Sequence, residues 1–450
     1  MIVIKIALGL FGMGIVVLVH ELGHFLAARA VGIGVEAFSI GWGNPILKKT
    51  LGGVEYRLGM FPIGGYCKMR GENEFREAWE NRKNEIPQTQ GTYYGASPQR
   101  RIIVSLAGPL FNLIFAVLTL SVIWGIGFEV DTLDNRIILV SDIQGGAWPA
   151  DEAGLMTGDR IIKIDGQDTL NYHDVQEAVT PNAEKLLAFT VERDGATLEL
   201  PVRPRLESSG AGRIGVYFWT DPVIGAVTPE SPAALAGLRE GDRILRVNGA
   251  DFPHTTALQG ILAGAPPVLS LEYERQGVLR NTDLVLSWKD GAVEDLGINW
   301  QTLRYHSPRY TPWGALAQGA RETWKTLSLS VRSLGLLFRG IDLTQAVSGP
   351  VRITYMVGDA TATGFGRGIG TGLLSLSNFL ALISVALCIM NLLPLPVLDG
   401  GMALLFAVEL LRRRPLNPKA VYAFQTLGAI LIAGLMIFAL FGDILFLTRR

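Results

Sequence analysis

Near the start of the chain, two histidines and a glutamate stand close together in the run His20-Glu21-Leu22-Gly23-His24. On a helix, positions four apart share one face, so the two imidazoles of an H-E-x-x-H pattern can grip one metal ion. The glutamate between them can reach a water on that ion and take its proton, and zinc lowers the pKa of such a water toward ~7. Five residues match this pattern by chance in many soluble helices. Here the flanking residues from about Ile6 to Ala30 are otherwise apolar and long enough to cross a bilayer. Inside such a span each ionisable side chain costs ~2.5 kcal/mol or more unless it is paired or bound. A structural role would need separate partners for all three groups, whereas one metal satisfies them together.

A catalytic zinc takes a third protein ligand and keeps one position open. The other histidines, His173, His254 and His306, fall in a region of ordinary soluble composition. Asp399 fits better. It follows Asn391-Leu392-Leu393-Pro394-Leu395-Pro396-Val397-Leu398 and precedes Gly400-Gly401. Two prolines break a helix, and irregular backbone at membrane depth is tolerated only where it lines a cavity. The plainer reading of Asp399 is a turn residue ending the helix. Its depth, at the inner end of an apolar span as for His20 and His24, favours the ligand.

The elements that must position these groups are membrane spans. The 450 residues are 49% hydrophobic and only 18% charged, where soluble domains carry about 25%. Four stretches reach span length: about Ile6–Ala30, Ile102–Phe128, Leu373–Leu398 and Val421–Leu447. The first is read as a retained span rather than a cleaved signal, since cleavage after it would discard the H-E-x-x-H run. Eleven Lys/Arg lie between Arg29 and Arg101, and Arg412, Arg413, Arg414 and Lys419 lie between the last two spans. The positive-inside rule puts both segments in the cytoplasm and the long central region outside. Arg449 and Arg450 count mildly against that orientation. A net charge of −1 with no basic arm argues against nucleic acid as a partner. Cys67 and Cys388 are read as two unrelated free thiols.

The central region is a tandem repeat. Ala153-Gly154-Leu155-Met156-Thr157-Gly158-Asp159-Arg160-Ile161 aligns with Ala236-Gly237-Leu238-Arg239-Glu240-Gly241-Asp242-Arg243-Ile244. The likeness continues to Asp165-Gly166 and Asn248-Gly249. Each copy reads as a turn, a strand and a second turn, at a period suited to two small domains rather than a solenoid. With 27 Asp/Glu against 15 Lys/Arg over 129–305, this is an acidic soluble body. After it, residues 310–340 place Ala317, Ala320, Trp324, Leu327, Val331 and Leu334 at helical spacing. That stripe predicts a helix lying on the membrane surface or packed on a neighbour.

The repeat pattern resembles the PDZ domain in its bacterial protease-associated form. Such domains bind a peptide as an added strand and commonly hold its C-terminal carboxylate. The H-E-x-x-H run in the first span, with N-x-x-P-x-P-x-L-D-G-G in a late one, resembles the site-2 protease family of intramembrane zinc metalloproteases. Four spans with two PDZ domains between the second and third are most similar to its bacterial regulator-of-sigma-E type. Gly64-Gly65-Tyr66-Cys67-Lys68-Met69 resembles that family's membrane-associated hairpin, Gly108-Pro109-Leu110-Phe111-Asn112 its motif opening span two, and Ser348-Gly349-Pro350 the one ahead of span three.

The resemblance implies an α-helical polytopic membrane protein with four transmembrane helices and two inserted α+β PDZ domains. Its parts would be 1–128, 129–210 (first PDZ), 211–305 (second PDZ), 306–372 (amphipathic linker) and 373–450. It implies Zn2+ held by His20, His24 and Asp399, with Glu21 as general base. Gly64 and Gly65 would allow an unwound substrate close approach, and Asn391, Pro394 and Pro396 would line its groove. Related proteins often carry asparagine where this chain has Ala386. Expected substrates are single-span membrane proteins, in particular an anti-sigma factor, in the bacterial inner membrane with the PDZ domains outside. The rival readings are a catalytically dead PDZ-bearing membrane adaptor, against which the intact Glu21 argues, and a metal transporter, for which the spans offer few further carboxylates.

Overall fold

The computed structural model describes residues 2–207, 210–289, 292–293, 295–336 and 349–448. They form two units: one from the residues up to Phe128 and those from Ser307 onward, the other from Glu129–His306.

The first unit is built from α1 (Ile2–Ala30), α2 (Pro98–Ile126), α3 (Pro312–Leu336), α4 (Pro350–Gly366), α5 (Ile369–Leu392), α6 (Asp399–Arg412) and α7 (Pro418–Thr448). Within them, Ile4–Ala30, Pro98–Ile126, Ile369–Leu392 and Pro418–Asp443 are long and apolar enough to cross a membrane. α2 opens on Ser97-Pro98, where proline's missing N–H costs nothing, and closes on Gly127 at φ 78°.

The third span differs from expectation. Its helix ends at Leu392 rather than near Leu398. Pro394 and Pro396 offer no N–H, each disfavours helix in the residue before it, and Val397 adopts φ 77°. The chain then restarts as α6, so a 14-residue helix fills most of the expected short connection to the last span.

α3 forms over the expected residues, and small residues set its packed side. Ala315, Gly319 and Thr323 form the buried line, while Ala317, Ala320, Trp324 and Val331 are exposed. A Cβ at Gly319 would lie 2.6 Å from Ser121 N and 2.7 Å from the Val117 carbonyl of α2. Bulky apolar residues gain little by leaving lipid for protein, so small residues that let backbones meet decide such interfaces. The side chain of Leu334, residues 337–340 and Ser348 lie outside the described residues.

Between α1 and α2, β1 (Val35–Leu51) and β2 (Val54–Met69) form a bent hairpin. Ala37–Ile40 pair with Lys68–Gly65 and also with Glu55–Leu58, while Leu47–Leu51 pair with Leu58–Val54. The bends fall at Gly41 and Gly64, both at positive φ, where a Cβ at Gly64 would strike the Trp42 indole.

In the second unit the repeat is visible as topology. One sheet runs Gln167–Asp168, Arg160–Ile164, Leu187–Arg193, Ala196–Val202; the other runs Ala250–Asp251, Arg243–Val247, Val268–Arg275, Val278–Val285. Each copy has its own apolar core. The shared Gly-Asp-Arg motif has a physical reason. Asp159 and Asp242 are buried, and each is gripped through both oxygens by one arginine, Arg193 or Arg275. Val216–Phe218 returns to pair with Ile137–Leu139, and Ile214 joins the first core. Residues just past 210 therefore complete the first copy, beyond the boundary drawn from sequence.

Candidate metal centre

His20 and His24 occupy the C-terminal half of α1, both buried. α1 and α2 meet there through glycines. A Cβ at Gly23 would lie 2.5 Å from the Ala107 carbonyl, and one at Gly108 would lie 2.4 Å from His24 Nε2 and 2.8 Å from His20 Cε1. Asp399, the first residue of α6, enters from the other side at a helix N-terminus, where the aligned peptide dipoles favour a carboxylate.

The three ligand-capable side chains converge. One donor atom from each lies within 4.8 Å of the others. The two Nε2 atoms are 3.2 Å apart, His20 Nε2 is 3.1 Å from Asp399 Oδ2, and His24 Nε2 is 3.4 Å from Asp399 Oδ1. Despite that approach, buried Oδ2 makes no aligned hydrogen bond. Atoms aimed at a shared central point, rather than at one another, have this geometry.

The ring protons agree. Nδ1 of His24 lies 2.8 Å from the Val104 carbonyl, which can only accept, so Nδ1 carries the proton and the neutral ring turns the Nε2 lone pair inward. Nδ1 of His20 lies 3.3 Å from the Asn112 amide, whose Oδ1 is buried without a partner. A half-turn of that amide lets Oδ1 accept from His20 Nδ1–H, removes the orphan and frees this Nε2 lone pair too. Ser384 fixes the Asn112 backbone by donating to its carbonyl at 2.9 Å. The donor set of two imidazoles and one carboxylate suits zinc and leaves a fourth position open.

Glu21 stands beside this cluster. A Cβ at Gly65 would lie 3.4 Å from its Cγ. The last segment of β2 thus runs against the glutamate. Gly64 serves the bend one residue away. The structure brings Asn391 to the cluster, with Nδ2 3.5 Å from His20 Nε2. Pro394, exposed, and Pro396, half-buried, stand in the break between α5 and α6. Val104, Gly108 and Asn112 were not assigned functional roles from sequence. Gly108 and Asn112 fell within the motif that opens span two, and Asn112 was also polar in an apolar span, whereas Val104 gave no signal.

Two histidines on a helix of membrane-spanning length, met by an aspartate at the start of a short helix and flanked by a glutamate, are the equipment of a membrane-embedded metallopeptidase. Comparison with known proteins agrees. The model of peptidase family M50 matches residues 8–435, so the chain belongs to that family, the site-2 proteases, and zinc is the cofactor that membership implies. A protein named "Putative zinc metalloprotease" from Treponema pallidum is 37% identical over 448 residues, covering 99% of both chains. The "Regulator of sigma-E protease RseP" of Escherichia coli is 31% identical over 96% of both. The "Regulator of sigma E protease" of Haemophilus influenzae is 31% identical over 98% of both.

Proposed function

We propose that this chain hydrolyses peptide bonds within the transmembrane segment of single-span membrane proteins, using zinc held by His20, His24 and Asp399. The observation that carries the reading is the convergence of those three donors within 4.8 Å, with the far nitrogen of His24 already committed to the Val104 carbonyl. Zinc, when bound, supplies a Lewis acid that polarises the scissile carbonyl and acidifies water. Glu21 takes a proton from the attacking water and returns it to the leaving amine.

A transmembrane substrate must unwind to expose a peptide bond. The β2 segment beside Glu21 offers a strand edge for that, with Gly64 and Gly65 admitting the chain closely. Asn391 would hold the substrate backbone, and Pro394 and Pro396 would line the groove. The relatives named for sigma-E regulation favour an anti-sigma factor as substrate, trimmed of its outer domain by an earlier cut elsewhere. The positive-inside count favours the bacterial inner membrane with the hairpin and α6 cytoplasmic and the repeats outside.

We assign the repeats, from 129 onward to 305, as PDZ-type domains, with 306–372 linking them to the last spans. They differ at the Val216–Phe218 edge. There the Tyr172 hydroxyl donates to the Val216 carbonyl at 2.8 Å, taking an acceptor that an added peptide strand would use. Peptide C-termini would therefore bind the second copy.

The test is cleavage of a single-span model substrate in detergent by the parent and by Glu21→Gln. Parent cleavage within the span, with a zinc-retaining but inert variant, supports the reading. Equal inertness of both across several substrates would sink it in favour of a PDZ-bearing adaptor.

A further inference from the structure

The break at residues 393–398 raises a positional problem. α6 starts afresh, so its bearing is not inherited from α5, yet its first residue must meet two histidines on α1. The face of α6 that carries Asp399 continues through Ala403 and Phe406 to Glu409, and all three of these are buried. Facing it on α2 is Arg101, and Val104, Gly108 and Asn112 of the same helix, all buried, carry on to the two histidines. The metal centre closes this interface at one end. An ion pair closes the other: Arg101 Nη2 donates to Glu409 Oε1 at 2.7 Å, with side chains 2% and 7% exposed.

Arg101 is held on several sides, while Glu409 meets it through Oε1 alone, its buried Oε2 having no hydrogen-bond partner among the described residues. Arg101 Nε donates to the Ala96 carbonyl at 3.1 Å, and the guanidinium lies 4.6 Å from the Phe406 ring centroid and 5.7 Å from that of Tyr94. Buried ion pairs are poor stabilisers, because desolvation offsets much of the attraction and apolar residues of similar volume often do as well. What an apolar contact lacks is direction. It lets a helix slide and rotate, whereas a charge-assisted hydrogen bond selects one register.

Resting on the zinc assignment above, we infer that the Arg101–Glu409 pair is a positioning lock that presents Asp399 to His20 and His24. Glu409 is ten residues from Asp399, about 15 Å along the helix at 1.5 Å per residue. A tilt of only about 4° pivoted at Glu409 moves Asp399 by about 1 Å over that lever arm. Metal–ligand distances tolerate only about 0.2 Å. The lock acts through Asp399 alone, since His20 and His24 are held by α1 and by Val104 and Asn112.

The experiment measures zinc affinity of the purified full chain by chelator competition, alongside thermal stability. Arg101→Met/Glu409→Met removes the pair without leaving a buried unpaired charge, and it is compared in the parent and in an Asp399→Ala background. Expected is a loss of about tenfold or more in the parent background. In the Asp399→Ala background the double substitution should change affinity by less than about twofold, because the ligand it positions is gone. An equal loss in both backgrounds, or none in the parent, overturns the lock while leaving the zinc site standing. An Asp399→Ala substitution that itself leaves zinc affinity unchanged overturns the site assignment and the lock with it. Should the Met pair fail to fold, Arg101→Gln/Glu409→Gln, which removes both charges but keeps polar side chains, carries the same comparison.

Discussion

Gly108→Ala sets two physical effects of opposite sign against each other at the metal centre. Within a helix alanine is favoured over glycine by about 1 kcal/mol, so propensity alone predicts a more stable protein. Yet the new Cβ would lie 2.4 Å from His24 Nε2 and 2.8 Å from His20 Cε1. Ordinary contact needs roughly 3.5 Å, so a ring or a helix must retreat by about 1 Å. Overpacking of that kind costs about 1–3 kcal/mol, which cancels or exceeds the propensity gain. The larger effect is on the ligands. A shift of about 1 Å is several times the tolerance of a metal–ligand distance, and misplacement on that scale costs about 100-fold in rate. The expected result is a near-parental melting temperature with zinc affinity reduced by tenfold or more and cleavage of a single-span substrate by about 100-fold. Gly434→Ala in α7, where nothing lies within 4 Å of the added Cβ, is the control for propensity. If Gly108→Ala keeps zinc affinity and cleavage within about threefold of the parent, less than 1 kcal/mol, the cradle around the two histidines is not close-packed.

Two further outcomes concern the second unit. Asp242→Ala removes the acceptor gripped by Arg275 at 2.6 Å through both oxygens, breaking a buried pair at a cost of about 3 kcal/mol. In a domain of this size that corresponds to a loss of about 10 °C in melting temperature, and a shift below about 2 °C would refute the clamp. His254 gives a pH dependence. Burial pushes its pKa below the usual imidazole value, and its Nδ1 accepts from Ala257 N–H at 3.2 Å, a bond only the neutral ring can make. The unfolded chain therefore binds this proton more readily than the folded one, so stability is full above the unfolded pKa of about 6.5 and falls as pH drops through the folded value. Melting of this unit should decline from pH 7.5 to 5.5, and His254→Gln should flatten that slope; an unchanged slope would exclude His254 as its source.

How much of this was readable beforehand follows from where each interaction is written in the chain. His20 and His24 announce themselves because both ligands sit on one helix, at a spacing fixed by its geometry, in a setting that penalises charge. Asp399 was legible through the prolines before it. The end of α5 was only half legible: Pro394 and Pro396 mark a break, but apolar residues continue to Leu398, so hydropathy drew the span through it. The packed side of α3 was not legible for a related reason: it is set by Ala315, Gly319 and Thr323, and a search for large apolar side chains passes over them. The orienting groups were hidden most completely. Val104 acts on His24 across 80 residues, Asn112 on His20 across 92, and Arg101 on Glu409 across 308. No local period records such a meeting. What a single sequence marks is the residue whose own surroundings make it costly; what it leaves unmarked is the partner that makes it affordable, and in this chain those partners lie mostly along one face of α2.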